Sequence, residues 1–209
     1  GLAAGTLSGS STAVGSYPFT ITATDAAGCA GSRSYTLVVG STVTAGSLVI
    51  REFRLRGSSP ANSATDEYIV LHNTTAADIT VASTDSAGFA VASSDATVVF
   101  TIPNGAVIPA RGHFLGANSV GFSLGVTPDA TWTADIVDSL GLALFDSASL
   151  GGAVVLDAVG IGASAAPFAE GAHLASLTGA GEYAWVRKAA GTGVQDTGSS
   201  SGDFVLVSP

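Results

Sequence analysis

Two segments of the chain alternate apolar and polar residues with a period of two: residues 48–57 (LVIREFRLRG) and 66–73 (DEYIVLHN). In the first, Leu48, Ile50 and Glu52 fall on one side and Val49, Arg51, Phe53 and Leu55 on the other; in the second, Tyr68, Val70 and His72 oppose Ile69, Leu71 and Asn73. This is the pattern of half-buried strands. Shorter apolar runs follow at 98–102, 114–115, 142–145, 154–159, 183–186 and 204–207, separated by clusters of Gly, Pro, Asn, Asp and Ser that supply turn geometry. Near the start, residues 17–25 and 32–39 alternate cleanly around AAGCAG, which predicts a β-hairpin with a longer loop. No segment carries a long amphipathic helical repeat, and residues 132–137 have room for one helical turn at most. Many short strands with glycine-rich punctuation predict an all-β sandwich, with Ile50, Phe53, Ile69, Leu71, Leu144 and Trp185 supplying much of its core.

Composition sets the scale and the setting. At 209 residues the chain holds one good-sized domain, residues 48–209, and a smaller unit, residues 1–40, joined by a short linker at 41–47. Only 11% of residues are charged, against about 25% in an average soluble protein. The surface must therefore be built largely of Ser, Thr, Gly and Ala, as in many extracellular and bacterial cell-surface proteins. The sequence lacks Met even at position 1, so Gly1 is expected to begin a processed piece of a longer precursor. No run approaches the roughly 20 apolar residues of a membrane-spanning helix. A net charge of −9 with a single lysine disfavours nucleic acid as a partner, because little cation is available to exchange for released counterions. Arg51, Arg54 and Arg56 are the one local basic cluster, and they read as solvated charges that guard a strand edge.

The two alternating segments, followed in order by residues 102–115, 141–146, 154–160, 182–188 and 196–204, resemble a lamin-tail domain over about residues 47–207. That family has an immunoglobulin-like β-sandwich fold. The chain departs from the family's pattern at Val70, where an acidic residue often stands. Residues 1–40 resemble the last part of an immunoglobulin-like repeat found in bacterial surface proteins. The resemblances imply a noncatalytic extracellular or cell-surface module for adhesion or assembly, with self-association or other surface proteins as partners. Two alternatives stay open: an accessory domain of a secreted hydrolase or nuclease, and a module that binds carbohydrate or an anionic polymer.

Candidate chemistry is sparse. His72, His113 and His173 lack the spacing that would set two imidazoles on one metal, and no GxSxG elbow occurs. Gly160, Gly162 and Ala165 mimic a dinucleotide fingerprint, but Pro167 and Gly171 interrupt any following helix, so no cofactor is expected there. Three pairs of loop carboxylates offer the hard oxygens that calcium takes: Asp66 with Glu67, Asp135 with Asp138, and Asp196 with Asp203. Loop acids of this kind more commonly serve as turn formers or caps. Asn73 opens a glycosylation sequon, Asn73-Thr74-Thr75. Cys29 is the sole cysteine, hence a free thiol or half of an intermolecular bridge. In the N-terminal hairpin, Phe19, Ile21, Tyr35, Leu37 and Val39 form an apolar face that two strands cannot bury alone, which predicts its completion by a neighbouring subunit, the competing outcome being that the hairpin folds back on residues 48–209 of its own chain.

Overall fold

A computed structural model describes residues 2–3, 6–7, 14–58, 61–177, 181, 183–191 and 193–208. Gly1 and Glu182, both singled out above, lie outside the described residues. The chain is all-β, as the turn-punctuated runs predict. Its twelve longer strands are β1 (Gly15–Thr24), β2 (Ala30–Val39), β3 (Leu48–Arg54), β4 (Tyr68–Asn73), β5 (Phe89–Ser93), β6 (Val98–Ile102), β7 (His113–Asn118), β8 (Ala130–Trp132), β9 (Leu142–Phe145), β10 (Val155–Val159), β11 (Ala184–Arg187) and β12 (Phe204–Val207). Six of them form one sheet in the order β8-β7-β4-β3-β11-β12, and four form a second, β10-β9-β5-β6. All pairings in the two sheets are antiparallel except β7 with β8. The two-residue strands Ile79–Thr80 and Val107–Ile108 pair beside them, as do Ala189–Ala190 and Gly193–Val194.

The inner faces of the two sheets meet in one large apolar cluster that includes Ile50, Phe53, Ile69, Leu71, Leu142, Leu144, Phe100 and Phe204. Ile50, Phe53, Ile69, Leu71 and Leu144 are fully buried, whereas Trp185 is half-buried and packs on the rim of the cluster. Strict alternation would set Ile50 and Phe53 on opposite faces. A β-bulge reconciles them: the register between β3 and β4 shifts between Ile50 and Glu52, so Arg51 is an extra residue and the phase of the strand changes there. Gly116 lets Phe100 lie directly on β7, where a Cβ would overlap the ring, and Phe100 stacks in turn on Trp132 at 5.6 Å.

Residues 132–137 form no helical turn: Trp132 ends β8, and the segment after it is irregular. Its backbone is held by a buried carboxylate rather than by helical bonds, since Ile136 N–H donates to Glu67 at 2.8 Å. The single helical turn of the sandwich domain that carries α-helical hydrogen bonding is Ser200–Asp203 among the described residues. Strands β1 and β2 pair residue for residue from Gly15 with Val39 to Thr24 with Ala30. Asp25 closes their loop by accepting from the Ala27 and Cys29 N–H groups at 2.9 Å each. At its base the hairpin continues into Ser41, which exchanges backbone and side-chain hydrogen bonds with Thr80 and Asp78 of the sandwich.

Candidate functional site

Four of the loop acids that sequence spacing offered to calcium, Asp66, Glu67, Asp196 and Asp203, are engaged by protein donors. Asp66 is fully buried, ion-paired with Arg54, and accepts from Ser123 through both its backbone N–H (3.0 Å) and its hydroxyl (2.9 Å). It packs so closely on Gly57 that any Cβ there would overlap the carboxyl group. Glu67, adjacent in sequence, points elsewhere and accepts from Asn118 Nδ2 (2.8 Å), Trp132 Nε1 (3.2 Å) and Ile136 N–H (2.8 Å). Asp138 is ion-paired with Arg56 through one oxygen, and burial, followed by the Asp138 charge, raises the carboxyl of the neighbouring Asp135. Asp196 and Asp203 do converge, but on the Arg187 guanidinium, at 3.3 and 3.8 Å. Asp203 further takes the Thr197 N–H and hydroxyl and the Gln195 amide, at 2.8, 2.7 and 3.1 Å. Burial alone would raise its carboxyl, yet these donors outweigh it and hold the group below the ordinary aspartate value.

Around Arg187 lies the most elaborate polar centre in the described chain. Arg187 and Asp157 are each 2% exposed, and one guanidinium nitrogen bridges both carboxylate oxygens at 2.8 and 2.6 Å. The pair also holds the bulged strand from across the sandwich. Ile50 N–H donates to Asp157 at 2.6 Å and Ile50 C=O accepts from Arg187 Nε at 2.9 Å. The ladder between β3 and β11 pairs Glu52 with Val186 and Phe53 with Trp185 and reaches no further towards Ile50. The ion pair therefore satisfies the backbone groups that the bulge leaves without a strand partner. Asp157, Glu170 and Asp196 offer oxygens within 4.8 Å of one another, but the arginine already supplies the counter-charge among them. Burial pushes the Asp157 carboxyl up, against the pull of Arg187 and the Ile50 N–H.

Burial likewise pushes the Glu67 carboxyl up to about 7, although Asn118, Ile136 and Trp132 each pull it down. Because it titrates higher in the fold than in the open chain, Glu67 favours the folded state at acid pH. That contribution is complete below the ordinary glutamate value of 4.5 and is lost as the pH climbs through about 7. It amounts to about 3 kcal/mol at 1.4 kcal/mol per unit. The Trp132 indole N–H resonance is expected to move with a midpoint near 7 while that of Trp185 stays still, and the movement should vanish in Glu67→Gln; a Trp132 resonance flat from pH 4 to 9 would contradict it.

The sequon is closed. Asn73 is fully buried, and its amide nitrogen, the atom a glycan would occupy, donates to the carbonyls of Ala77 (2.8 Å), Ile108 (3.1 Å) and Pro109 (3.0 Å). Asn73 is thus a structural clamp on the turn after β4, and the glycosylation reading is corrected on that ground. Cys29 is exposed in the hairpin loop as a free thiol.

The hairpin sorts its side chains into two chemically distinct faces. Cross-strand pairing sets Tyr17 opposite Leu37, Phe19 opposite Tyr35 and Ile21 opposite Arg33. Phe19 and Tyr35 stack at 5.6 Å, and Arg33 lies over the Tyr35 ring. On the other face Thr20 with Ser34 and Thr22 with Ser32 form a ladder of hydroxyl hydrogen bonds. The apolar face remains open: Tyr17 and Tyr35 are each 40% exposed and Leu37 48%, while Phe19, Ile21 and Val39 are half-buried.

The run Arg51, Arg54, Arg56 does not act as one patch, because Arg54 turns to Asp66 and Arg56 to Asp138. Arg51 instead joins His72, His113 and Arg111, a grouping that sequence separation conceals. Antiparallel pairing of β4 with β7 sets His72 directly opposite His113, and their rings stack at 4.7 Å. Among known families, the model described as "Putative Ig domain" matches residues 2–40, the segment that holds the hairpin, and supports an immunoglobulin-like repeat there. No curated protein and no solved structure matches the chain.

Proposed function

We propose that this chain is a noncatalytic structural or adhesion module of a bacterial surface or secreted protein, and that it associates with further copies of itself through the β1–β2 hairpin. The observation that carries this reading is the open aromatic face of the hairpin. Two ten-residue strands present Tyr17, Tyr35 and Leu37 to solvent and leave both edges unpaired in the described chain. An immunoglobulin-like sandwich needs about seven strands, so the matched segment supplies only part of one. A second copy can provide the missing cover, and use of one surface against a different surface on the next copy gives an open chain unless the rotation closes. The match to an immunoglobulin-like repeat favours a surface location, and no described helix is long and apolar enough to cross a membrane. For residues 48–209 we retain the lamin-tail-like reading, which rests on the ordered motifs of the sequence.

Deletion of residues 1–40 tests the proposal. All residues of both buried clusters lie at position 48 or beyond, and the hydrogen bonds of Ser41 to Thr80 and Asp78 survive the cut. The truncated chain is expected to melt cooperatively yet to sediment as a monomer under conditions where the full chain associates. In the full chain, Tyr35→Ser with Leu37→Ser should have the same effect. Unchanged association in both, or a full chain that stays monomeric at high concentration, would reject the hairpin as the assembling element.

A further inference from the structure

We propose that Arg51, His72, Arg111 and His113 form a binding site for a tetrahedral oxyanion, a sulfate or phosphate group, either free or esterified on a polysaccharide. The four side chains line one concavity on the six-stranded sheet, and its remaining described walls are the small residues Ala189, Gly191 and Gly193. Three separate segments build it. The bulge in β3 supplies Arg51, the facing strands β4 and β7 supply the stacked imidazoles, and the turn after Pro109 supplies Arg111. No carboxylate lines it among the described residues, and neither arginine has an acid within ion-pair distance there.

In a chain of net charge −9 with seven Lys and Arg in all, this arrangement is conspicuous. Arg54, Arg56 and Arg187 are consumed by carboxylates, Lys188 donates to the Gly202 carbonyl, and Arg33 lies over Tyr35. The two remaining arginines meet beside two histidines. Burial lowers both imidazoles; His113, Arg51 and Arg111 lower His72 further, and Arg51 lowers His113. Glu52 is the one acid that pulls His113 the other way, and its carboxylate already accepts from the Tyr68 hydroxyl. Like charges gathered without a counter-charge favour a bound anion, and they oppose a metal cation even though two imidazoles are adjacent.

Arg111 adds a second, geometric argument. It occupies the left-handed region, with φ 59°, at the third position of a turn closed by Gly112 N–H on the Pro109 carbonyl at 2.8 Å. Glycine is relaxed at that position and arginine is strained, yet glycine stands one residue later. One guanidinium nitrogen is tied to the Thr74 carbonyl, which orients the fork while leaving its other donors available. His72 is oriented too, since its Nδ1 faces the Gly112 carbonyl at 3.1 Å, which places the proton there and leaves Nε2 to gain a proton when an anion binds. A polynucleotide is the poorer ligand: its charges recur about every 1.7 Å of duplex, and those beyond the pocket would be repelled by a chain of net charge −9. Isolated sulfate or phosphate esters on a sugar chain avoid that repulsion. The oxyanion chemistry stands apart from the hairpin, whereas a polysaccharide source fits the surface reading proposed above.

The test uses the full chain with histidine ring resonances as the reporter. Inorganic sulfate and phosphate are expected to raise the titration midpoints of His72 and His113. Apparent affinity for sulfate, whose charge is constant over this range, should tighten about tenfold from pH 8 to pH 5, the equivalent of one unit of combined upward shift of the two imidazoles in the bound state. Arg111→Gly, which suits the left-handed backbone, and Arg51→Gln should each weaken binding at least about fivefold without lowering the melting temperature. Dextran sulfate against plain dextran separates an ester on a polymer from the free ion. The proposal fails if millimolar sulfate and phosphate leave both midpoints in place, if the two arginine variants bind as the parent does, or if duplex DNA binds as tightly as dextran sulfate at 0.15 M salt.

Discussion

An Arg187→Ala variant is expected to lose about 3 to 5 kcal/mol of stability in a denaturant melt at neutral pH, the cost of breaking a buried ion pair by removing one partner. The loss has two sources in this fold. Asp157 is left in a site where it is 2% exposed, and the Ile50 carbonyl loses the Arg187 donor that replaces a strand partner at the bulge. The penalty should also depend on pH. Without its arginine Asp157 titrates still higher in the fold, so the variant's deficit is smallest below the ordinary aspartate value near 4 and grows as the pH rises. Replacing Arg187 and Asp157 together with apolar residues of similar volume should recover only part of the loss, because desolvation of both charges disappears with them while the Ile50 N–H and carbonyl lose their partners. A single variant within 1 kcal/mol of the parent at neutral pH would show that the pair contributes little to holding the two sheets.

Phe53→Ala is expected to cost a further about 3 to 5 kcal/mol, as large-to-small changes of buried aromatics do. Phe53 is fully buried in the main cluster and meets the Phe204 ring edge-on at 5.7 Å, so its loss opens a cavity between β3 and β12. Trp185→Ala should cost less, although the side chain is larger, because Trp185 lies on the rim and is already half exposed to water. Equilibrium melts of the two variants beside the parent decide the order; a tryptophan loss larger than the phenylalanine loss would place the weight of the packing at the rim.

The comparison of sequence with structure turns on whether the signal is local. Strand β4 is legible because Ile69 and Leu71 alternate with Tyr68, Val70 and His72 between polar turns. Strand β5, with the sequence FAVAS, is fully buried at the middle of its sheet but escapes notice, because Ala and Ser carry too little contrast to print a period. Strand β8 escapes for another reason: its three residues are too few to print a period, and it pairs in parallel with the strand just before it, β7, which no hairpin signal announces. Asp157 and Arg187 sit inside runs that read as ordinary strand, and their meeting depends on two sheets folding onto each other. The acids at 66, 67, 196 and 203 are visible as residue types, but only the fold reveals that arginines and amides reach them first. His72 and His113 are visible as strand residues, while their stacking follows from the register of β4 against β7.

The bulge in β3 separates what the strand does for the interior from what it does at the surface. Pairing with β4 resumes at Glu52 and passes over Arg51, so the ladder asks nothing of that residue's side chain. Position 51 is consequently a place where natural variation can exchange one surface chemistry for another at little risk to folding. Loss of the residue altogether would be a different event: the ladder with β4 would run unbroken from Ile50 to Phe53, both still facing the core, and the bulge beside the backbone groups of Ile50 that Asp157 and Arg187 hold would disappear. Related chains that keep the oxyanion site are therefore expected to keep arginine here, whereas chains without it can change the residue without loss of the fold.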